Sequence, residues 1–258
     1  MLNRNLTETE KKMSTFYIKN EQISDDKIYI LDDDFNHIKN VLRYKENDNL
    51  DVCDENGIRY KTKIESFDTN RVILNIMETD NKSTECDINI TLFQGLPKSD
   101  KMELIIQKCT EIGVKEIVPF ISERVIVKLD EKGETKKQER WQKIAKEAAK
   151  QSGRQIIPNI KKTINLKNII ENLSKYDIVI MPYECEKDCM IKEVLKNIEK
   201  NVQNIAIVIG PEGGFSENDV EILEKSSNLK KVSLGPRILR TETAGFVTLA
   251  MIIYELDF

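Results

Sequence analysis

Two stretches near the end of the chain combine glycines with charged side chains. Residues 210–215 (GPEGGF) follow an apolar run at 205–209, and residues 234–244 (LGPRILRTETA) begin where a second strand-like run, 231–234, ends. Glycines leave backbone N–H and C=O groups accessible. In open α/β sheets, ligands bind in crevices at the carboxyl ends of strands. The two stretches therefore predict a ligand site formed by two strand ends.

The first loop does not match the familiar phosphate-binding motifs. It lacks the Lys-Ser/Thr pair of a P-loop and the spacing of the dinucleotide fingerprint, and the carboxylate of Glu212 would repel a phosphate. The loop suits a ligand with a cationic or neutral rim, such as a sulfonium cofactor with adenine and ribose. The simpler alternative is that the glycines only form a turn and that Glu212 is solvated.

The two loops resemble those of the small-subunit (16S) ribosomal RNA uridine-N3 methyltransferase family. This family belongs to the SPOUT class of knotted enzymes that use S-adenosylmethionine (SAM). Five further stretches fit the family in its order and extend over nearly the whole chain. They are residues 37–43 (HIKNVLR), 94–98 (QGLPK), 102–108 (Met102-Glu103 with Gln107-Lys108), 111–114 (EIGV) and 147–154 (EAAKQSGR).

The resemblance implies a SAM-dependent enzyme that methylates N3 of a specific uridine. It also implies a homodimer, in which the loops 210–215 and 234–243 form a cofactor site within a trefoil knot and the last helix serves as a core and dimer helix. The implied cofactor-binding residues are Pro182, Gly210, Pro211, Glu212, Gly213, Leu234, Gly235, Ile238, Leu239, Arg240, Thr241, Thr243 and Ala244.

The uracil N3 position is a weakly acidic imide, so methylation requires a base or a cation that stabilises the imidate. Arg240, Glu242 and Glu212 are the candidate catalytic residues, and the sequence does not assign their roles. Arg240 could instead anchor the cofactor or a phosphate, or it could pair with Glu242.

Five polar residues are candidates for RNA contacts. A guanidinium binds phosphate in a bidentate manner, although an arginine at a helix end could instead complement the helix dipole. The target base would have to be single-stranded or flipped out of a duplex. The formal net charge of -4 argues mildly against a nucleic-acid partner. The candidates are Arg43, Lys98, Arg124, Gln151 and Arg154.

The chain is predicted to contain two domains. Residues 13–78 are rich in strand-like runs around one helix, and they predict a small β-barrel that the resemblance identifies as a PUA-like RNA-binding fold. Residues 79–87 are a polar linker. In residues 88–258, strands alternate with helices, which is typical of a parallel α/β sheet, here SPOUT-like by resemblance. Residues 1–12 are interpreted as an extension or frayed tail.

The pattern also predicts individual elements. In the first domain, the helix should bury Phe35, Ile38, Val41 and Leu42, with Asp33 or Asp34 as its cap. In the second domain, strands and helices are expected to alternate. The strands are 88–93, 116–120, 177–181, 205–209 and 231–234, and the helices are 100–112, 138–152, 188–199, 217–226 and 241–256.

Composition excludes several classes of protein. The five cysteines have no framework spacing, and they are interpreted as reduced thiols and not as zinc ligands. The single histidine, His37, rules out a multi-histidine metal site and is interpreted as a packing residue. No apolar stretch approaches a membrane span, and the first residues do not resemble a signal peptide. We therefore expect a cytoplasmic protein that needs no metal and no membrane.

Two alternative functions remain open. A ribose 2′-O methyltransferase of the same class would share the cofactor loops, but the stretch from Gln107 to Gly113 and the N-terminal module favour N3. A non-catalytic RNA-binding assembly factor could keep the fold. The intact glycines and the unbroken RILRTETA loop argue against this alternative. The expected partner is ribosomal RNA or the small ribosomal subunit.

Overall fold

The computed structural model describes residues 15–80, 82–98, 100–125, 131–199 and 201–256. The predicted tail, residues 1–12, lies outside this part of the chain. The described residues form two compact units. The first contains the residues up to Glu85 together with Ala149–Ile156, and the second contains Cys86–Ala148 and the residues from Ile157 onward. The assignment of Ala149–Ile156 to the first unit was not suggested by the sequence.

The first unit is built on a curled six-stranded sheet. Its strand order is β1-β4-β5-β6-β3-β2, and all pairs are antiparallel except β1 with β4. Two register shifts between β5 and β6 increase the local twist. The predicted barrel-like β-module is confirmed as this half-barrel. The strands are β1 Thr15–Tyr17, β2 Ile23–Ser24, β3 Lys27–Ile30, β4 Asn49–Cys53, β5 Arg59–Phe67 and β6 Val72–Asp80.

The helix of the first unit differs from its prediction in two respects. Helix α1, Asp32–Asn36, continues into a π-helical turn, His37–Val41. Ile38 is fully buried, but Val41 is 63% exposed, because the wider π-turn rotates it away from the face expected for a regular helix.

The predicted aspartate cap of α1 is also wrong. The backbone at the N-cap position belongs to Leu31, which makes no side-chain cap, and Asp33 and Asp34 lie inside the first turn. His37 is half-buried, with its ring 5.9 Å from that of Phe16 in an edge-on arrangement. This contact agrees with the packing role expected for the histidine.

A buried ion pair joins residues 149–156 to the rest of the first unit. The Arg154 guanidinium pairs with Glu85, and Nε lies 3.0 Å from Oε2. Glu85 Oε1 also accepts the N–H groups of Gln155 (2.9 Å) and Ile156 (3.2 Å). The Tyr17 hydroxyl donates to the Arg154 carbonyl at 2.6 Å, and burial raises the pKa of this phenol. Arg154 is therefore part of the internal framework of this unit.

The second unit contains an all-parallel sheet, which confirms the predicted class. The strand order is β10-β8-β7-β12-β11-β13, and β9 pairs with β8. The trefoil knot, which concerns chain threading, stays a prediction. The strands are β7 Asn89–Gly95, β8 Glu116–Ile121, β9 Asn159–Ile160, β10 Ile164–Asn165, β11 Ile178–Pro182, β12 Asn204–Ile209 and β13 Leu229–Val232.

Helices cover this sheet, and all five that were predicted are present: the last has the predicted ends, and the other four have shifted ends. The additional helix α4 was not predicted. No helix in the described part of the chain is both long and apolar enough to cross a membrane. The helices are α2 Lys101–Ile112, α3 Glu131–Ser152, α4 Leu166–Leu173, α5 Ile191–Lys196, α6 Glu217–Leu223 and α7 Thr241–Leu256.

Strand β12 lies in the centre of the sheet, between β7 and β11. Residues Ile205–Ile209 are all buried, as expected of a strand that is covered on both faces. However, β11 separates β12 from β13, so the two strands that precede the glycine-containing loops are not adjacent in the sheet. The end of β11 lies between them.

Candidate functional site

A cleft of about 1040 Å³ opens where β11, β12 and β13 end and α7 begins, entirely within the second unit. Its walls combine apolar side chains, exposed backbone and charged groups of both signs. The lining residues are Lys101, Pro182, Tyr183, Glu184, Glu186, Lys187, Met190, Ile209, Gly210, Pro211, Glu212, Gly214, Phe215, Ser233, Leu234, Gly235, Pro236, Arg237, Ile238, Leu239, Arg240, Thr241, Glu242 and Ala244.

The structure brings most of the predicted cofactor-binding residues together in this cleft. Gly213 and Thr243 are the exceptions, because they do not line it. The Gly213 carbonyl accepts a hydrogen bond from Arg124 Nη1 at 2.8 Å. The Thr243 N–H bonds to the Arg240 carbonyl in the first turn of α7. The cofactor contacts of these two residues stay a prediction, and their observed hydrogen bonds are internal to the protein.

Gly235 supplies a bare backbone to the cleft wall. Its φ is +121°, a conformation that residues other than glycine rarely adopt, and a Cβ placed there would meet no atom of the described residues within 4 Å. Gly235 lines the cleft, and a side chain at this position would enter space that no described atom fills. A glycine is therefore required both by the backbone conformation and by the space that a ligand would use.

A buried hydrogen-bond relay holds the first loop in place. The Thr241 hydroxyl donates to the Gly210 carbonyl at 2.6 Å, and Gln94 Nε2 donates to Thr241 Oγ1 at 2.9 Å. Gln94 is fully buried at the end of β7, and Thr241 is the first residue of α7. The relay thus fixes the loop after β12 relative to two other elements.

Gly95 allows β7 to approach the same loop closely. A Cβ at Gly95 would lie 2.6 Å from the Pro211 nitrogen and 2.7 Å from its Cδ. Because these atoms belong to the backbone and a ring, they cannot move aside without shifting the loop. Gly95 lies in the family stretch 94–98, but this close approach was not predicted from the sequence.

We expect Gly95→Ala to lower the free energy of unfolding by about 1–3 kcal/mol, the usual cost of overpacking, and Gly95→Val to lower it further. Urea unfolding can be followed by the fluorescence of Trp141, the only tryptophan, which lies in this unit. The graded series acts as its own control. An alanine variant as stable as the parent would contradict the steric argument.

One lysine connects two carboxylates in the cleft. Lys101 Nζ lies 3.2 Å from Glu212 Oε1 and 3.3 Å from Glu242 Oε2. Glu212 also accepts the backbone N–H of Lys98, at 3.0 Å and 3.2 Å to its two oxygens. Among the described residues, Glu242 Oε2 has no partner in hydrogen-bond geometry, so its contact with Lys101 is an ion pair alone.

Several groups determine the pKa of Glu212. Partial burial acts to raise the pKa, but the backbone N–H groups of Glu212 and Lys98 and the Lys101 ammonium outweigh it, so the pKa lies below its ordinary value. A carboxyl with a lowered folded-state pKa stabilises the fold at neutral pH, and this stabilisation is lost as the pH falls through that value. Glu212 therefore remains an anion near neutral pH.

Arg240 lies at the mouth of the cleft. Its side chain is 82% exposed, and Nη1 is 4.0 Å from Glu242 Oε1. The pairing with Glu242 that the sequence left open is thus present at the limit of ion-pair distance. Such an exposed pair contributes little to stability, which leaves the guanidinium accessible to a ligand.

The third strand end of the cleft, that of β11, was not predicted from the sequence. Tyr183, Glu184, Glu186 and Lys187 follow β11 and line the cleft. Two signals were available, because a strand was predicted at 177–181 and Pro182 was named as a contact. Lys101 was also missed, although it lies between the family stretches 94–98 and 102–108, at the start of α2.

The candidate RNA contacts fall into two groups. In the second unit, Lys98 and Arg124 are exposed. In the first unit, Arg43, at a positive φ of 55°, and Gln151 are exposed. Arg154 is only 6% exposed and is paired with Glu85. Its observed contacts are structural, and its RNA contact stays a prediction.

Hydrogen bonds connect the loop that carries Arg124 to the segment after β12. The Ser216 hydroxyl donates to Glu123 Oε2 at 2.6 Å, and the Glu123 N–H reaches Asp219 Oδ1 at 3.3 Å. Ser216 and Asp219 also form the capping box of α6. Arg124 therefore has a positioning contact with Gly213 in addition to any contact with RNA.

The described residues contain no group of three or more His, Cys, Asp or Glu side chains that could hold a metal ion. Instead, a parallel α/β sheet carries a glycine-containing cleft at its strand ends. A separate curled sheet forms the other unit. This arrangement defines an α/β protein of the class that binds a cofactor at the carboxyl ends of its strands.

Comparison with known proteins identifies the family. A family model described as an RNA methyltransferase domain matches residues 84–253, and one described as an RNA methyltransferase PUA domain matches residues 30–77. The chain therefore belongs to this RNA methyltransferase family. The ribosomal RNA small subunit methyltransferase E of Bacillus subtilis is 36% identical over 232 residues, covering 88% of this chain and 90% of the relative.

Solved structures give the same family. A crystal structure of a ribosomal RNA small subunit methyltransferase E from Neisseria gonorrhoeae, bound to S-adenosyl methionine, matches with a TM-score of 0.82. It is 30% identical and covers 94% of this chain and 97% of its own. A putative methyltransferase from Legionella pneumophila, in complex with SAM, has a TM-score of 0.81 at 27% identity, covering 93% and 96%.

Proposed function

We propose that this protein transfers a methyl group from SAM to N3 of a uridine in small-subunit ribosomal RNA. The observation that carries the proposal is that the two glycine-containing loops, 210–215 and 234–244, line one cleft. The relatives that share both units are ribosomal RNA small subunit methyltransferases E. The N3 position is the finer part of the proposal, and it follows from the family resemblance of the loops.

The residues of the cleft fit SAM. Apolar side chains, among them Ile209, Leu234 and Leu239, suit an adenine ring, and the bare backbone at Gly235 permits close approach. Carboxylates in the same cleft suit a sulfonium cation. When bound, SAM would supply an electrophilic methyl group. The protein would hold the uracil in line with that methyl and exclude water, which can lower a barrier by about 7–11 kcal/mol.

We assign the role of base to Glu242. Glu242 lies in the wall of the cleft, and its buried Oε2 has no donor in hydrogen-bond geometry in the described part of the chain, so this oxygen has a lone pair for the N3 proton. Glu212 is less suitable, because two backbone N–H groups and Lys101 stabilise its anion. The exposed guanidinium of Arg240 would stabilise the imidate that forms as the proton leaves.

RNA would contact both units. Lys98 and Arg124 in the second unit, and Arg43 and Gln151 in the first, are exposed and can bind phosphates or the ribose. Phosphate contacts position the RNA, and contacts to the base select it. The match of residues 30–77 to an RNA methyltransferase PUA domain supports an RNA-binding role for the first unit.

The biological setting is also part of the proposal. We infer a homodimer, because α7 presents half-buried Val247 and Met251 together with Tyr254, which is 77% exposed, on the side expected to pack against a second copy. A substrate within ribosomal RNA implies a cytoplasmic enzyme. No resident metal is required by this chemistry.

Calorimetric titration of SAM into the purified protein tests the cofactor site. We expect Gly235→Ala to weaken binding by about tenfold or more, or about 1.4 kcal/mol, because a methyl group would project into the cleft. Gly153→Ala is a matched control, since Gly153 has a φ of +71°, has no atom near its Cβ and lies in the other unit. Its SAM affinity should equal that of the parent.

Mass mapping of small-subunit RNA treated with the enzyme and SAM tests the reaction. A methyl group on a uridine base at N3 is the expected product, and a ribose methyl would favour the 2′-O alternative. A folded parent that does not bind SAM would contradict the proposed function in its simple form and favour the assembly-factor alternative.

A further inference from the structure

Lys101 is the point at which three segments of the cleft meet. It is the first residue of α2, Glu212 belongs to the loop after β12, and Glu242 lies in the first turn of α7. The Lys101 and Glu212 side chains are 33% and 25% exposed, and the Glu242 side chain is 12% exposed. All three line the cleft.

The two carboxylates depend on this lysine to different degrees. Glu212 keeps two contacts with the Lys98 N–H, at 3.0 and 3.2 Å, whether or not Lys101 is present. Glu242 has Lys101 at 3.3 Å, and the next cation in the described ion pairs is the largely exposed Arg240 at 4.0 Å. Removing Lys101 should therefore release Glu242 more than Glu212.

Removal would also leave two carboxylates close together without the cation between them. The two negative charges would then repel each other strongly, because the site is partly buried. Since Glu212 is held by backbone, the side chain that can turn away is that of Glu242. The contact with Glu212, followed by that with Glu242, raises the pKa of Lys101 above its ordinary value, so it remains a cation.

We propose that Lys101 is a positioning residue for methyl transfer, which holds the Glu242 carboxylate where it can accept the N3 proton. The inference rests on the proposed function, because it takes Glu242 as the base. Lys101 should affect the transfer step and not cofactor affinity. The loop that contains Glu212 is also held by the hydrogen bonds from Gln94 to Thr241 and from Thr241 to Gly210, so it should keep its position without Lys101.

The test compares Lys101→Met and Lys101→Arg with Lys108→Met. Lys108 lies on the same helix and pairs with Glu111 outside the cleft, so its variant controls for losing a partly exposed ion pair. For each protein, kcat, the KM for RNA, the SAM affinity by calorimetry and the thermal midpoint are measured.

We expect Lys101→Met to lower kcat by about 10–100-fold while the dissociation constant of SAM changes by less than about threefold. Lys101→Arg should recover about tenfold of the loss, because a guanidinium can bridge the same carboxylates. Lys108→Met should remain within about twofold of the parent.

Three results would overturn the inference. They are an unchanged kcat in Lys101→Met, a loss of SAM affinity and thermal stability in proportion to kcat, or no recovery in a folded Lys101→Arg variant. The second would indicate a merely structural lysine. A parent that neither binds SAM nor methylates the RNA would instead overturn the proposed function, and this inference with it.

Discussion

Glu242→Gln is expected to lower the rate of methyl transfer by about 10²–10⁴-fold, the range that positioned general bases contribute. The amide is nearly isosteric with the carboxylate and cannot take the N3 proton. SAM affinity should change little, because the walls that would contact adenosine are untouched. Single-turnover transfer of labelled methyl to small-subunit RNA measures the chemical step.

Glu212→Gln is the comparison that separates a base from a structural anion. Glu212 also pairs with Lys101, but backbone N–H groups stabilise its anion as well. Partial burial acts to raise its pKa, yet the N–H groups and Lys101 outweigh this effect, so the pKa lies below the ordinary value. We expect this variant to weaken SAM binding more than it lowers the rate at saturating SAM. If both variants lower the rate equally, or if Glu212→Gln lowers it more, Glu242 is not the base.

Raising the pH offers an independent check on Glu242. If this carboxylate accepts the N3 proton, Glu242→Gln should recover activity as the pH rises toward the range in which the uracil imide ionises by itself. The parent should gain less over the same interval. A constant ratio of the two rates across that interval would argue against proton transfer to Glu242.

The loops of the site could be predicted from the sequence because their signals are local. A buried strand followed by GPEGG, and a second loop that leads into a long helix, need only neighbouring residues to be recognised. The sheet order is not local information. Nothing near Ile178–Pro182 indicates that β11 inserts between β12 and β13, so the residues after β11 were missing from the predicted site.

The sequence of helix α4 has the apolar spacing of a helix, but the pattern is short. Leu166, Ile169 and Leu173 are buried at helical spacing, yet an eight-residue helix is stable only through packing. The exposure of Val41 has a different origin. The π-helical turn changes which side chains point toward the core, and no sequence pattern indicates that turn.

Arg154 was assigned to RNA because an arginine in a polar stretch is usually exposed. Its partner, Glu85, lies 69 residues away in sequence, and no local pattern connects the two. Lys101 was overlooked for a related reason, since its two carboxylates come from distant elements. Charged residues that hold a fold together and charged residues that bind a ligand have the same appearance in a sequence.

The Arg154–Glu85 pair should make one of the largest single contributions to the stability of the first unit. The two side chains are 7% and 14% exposed, and removing one member takes a buried opposite charge away from the other. We expect Arg154→Met or Glu85→Gln to lower the free energy of unfolding by about 3–5 kcal/mol. Urea unfolding by circular dichroism measures the loss, and Trp141 fluorescence reports the second unit separately.

The double variant distinguishes a paired charge from two independent contributions. If the pair is the cause, the double variant Arg154→Met with Glu85→Gln should lose clearly less free energy of unfolding than the two single variants together. The reason is that the double variant removes both charges of the pair. Glu78→Gln provides the exposed control, because its pair with Lys61 is 61% and 51% exposed and should contribute no more than about 1 kcal/mol. Additive losses in the double variant, or an Arg154→Met variant as stable as the parent but weaker in RNA binding, would return Arg154 to the RNA-contact role.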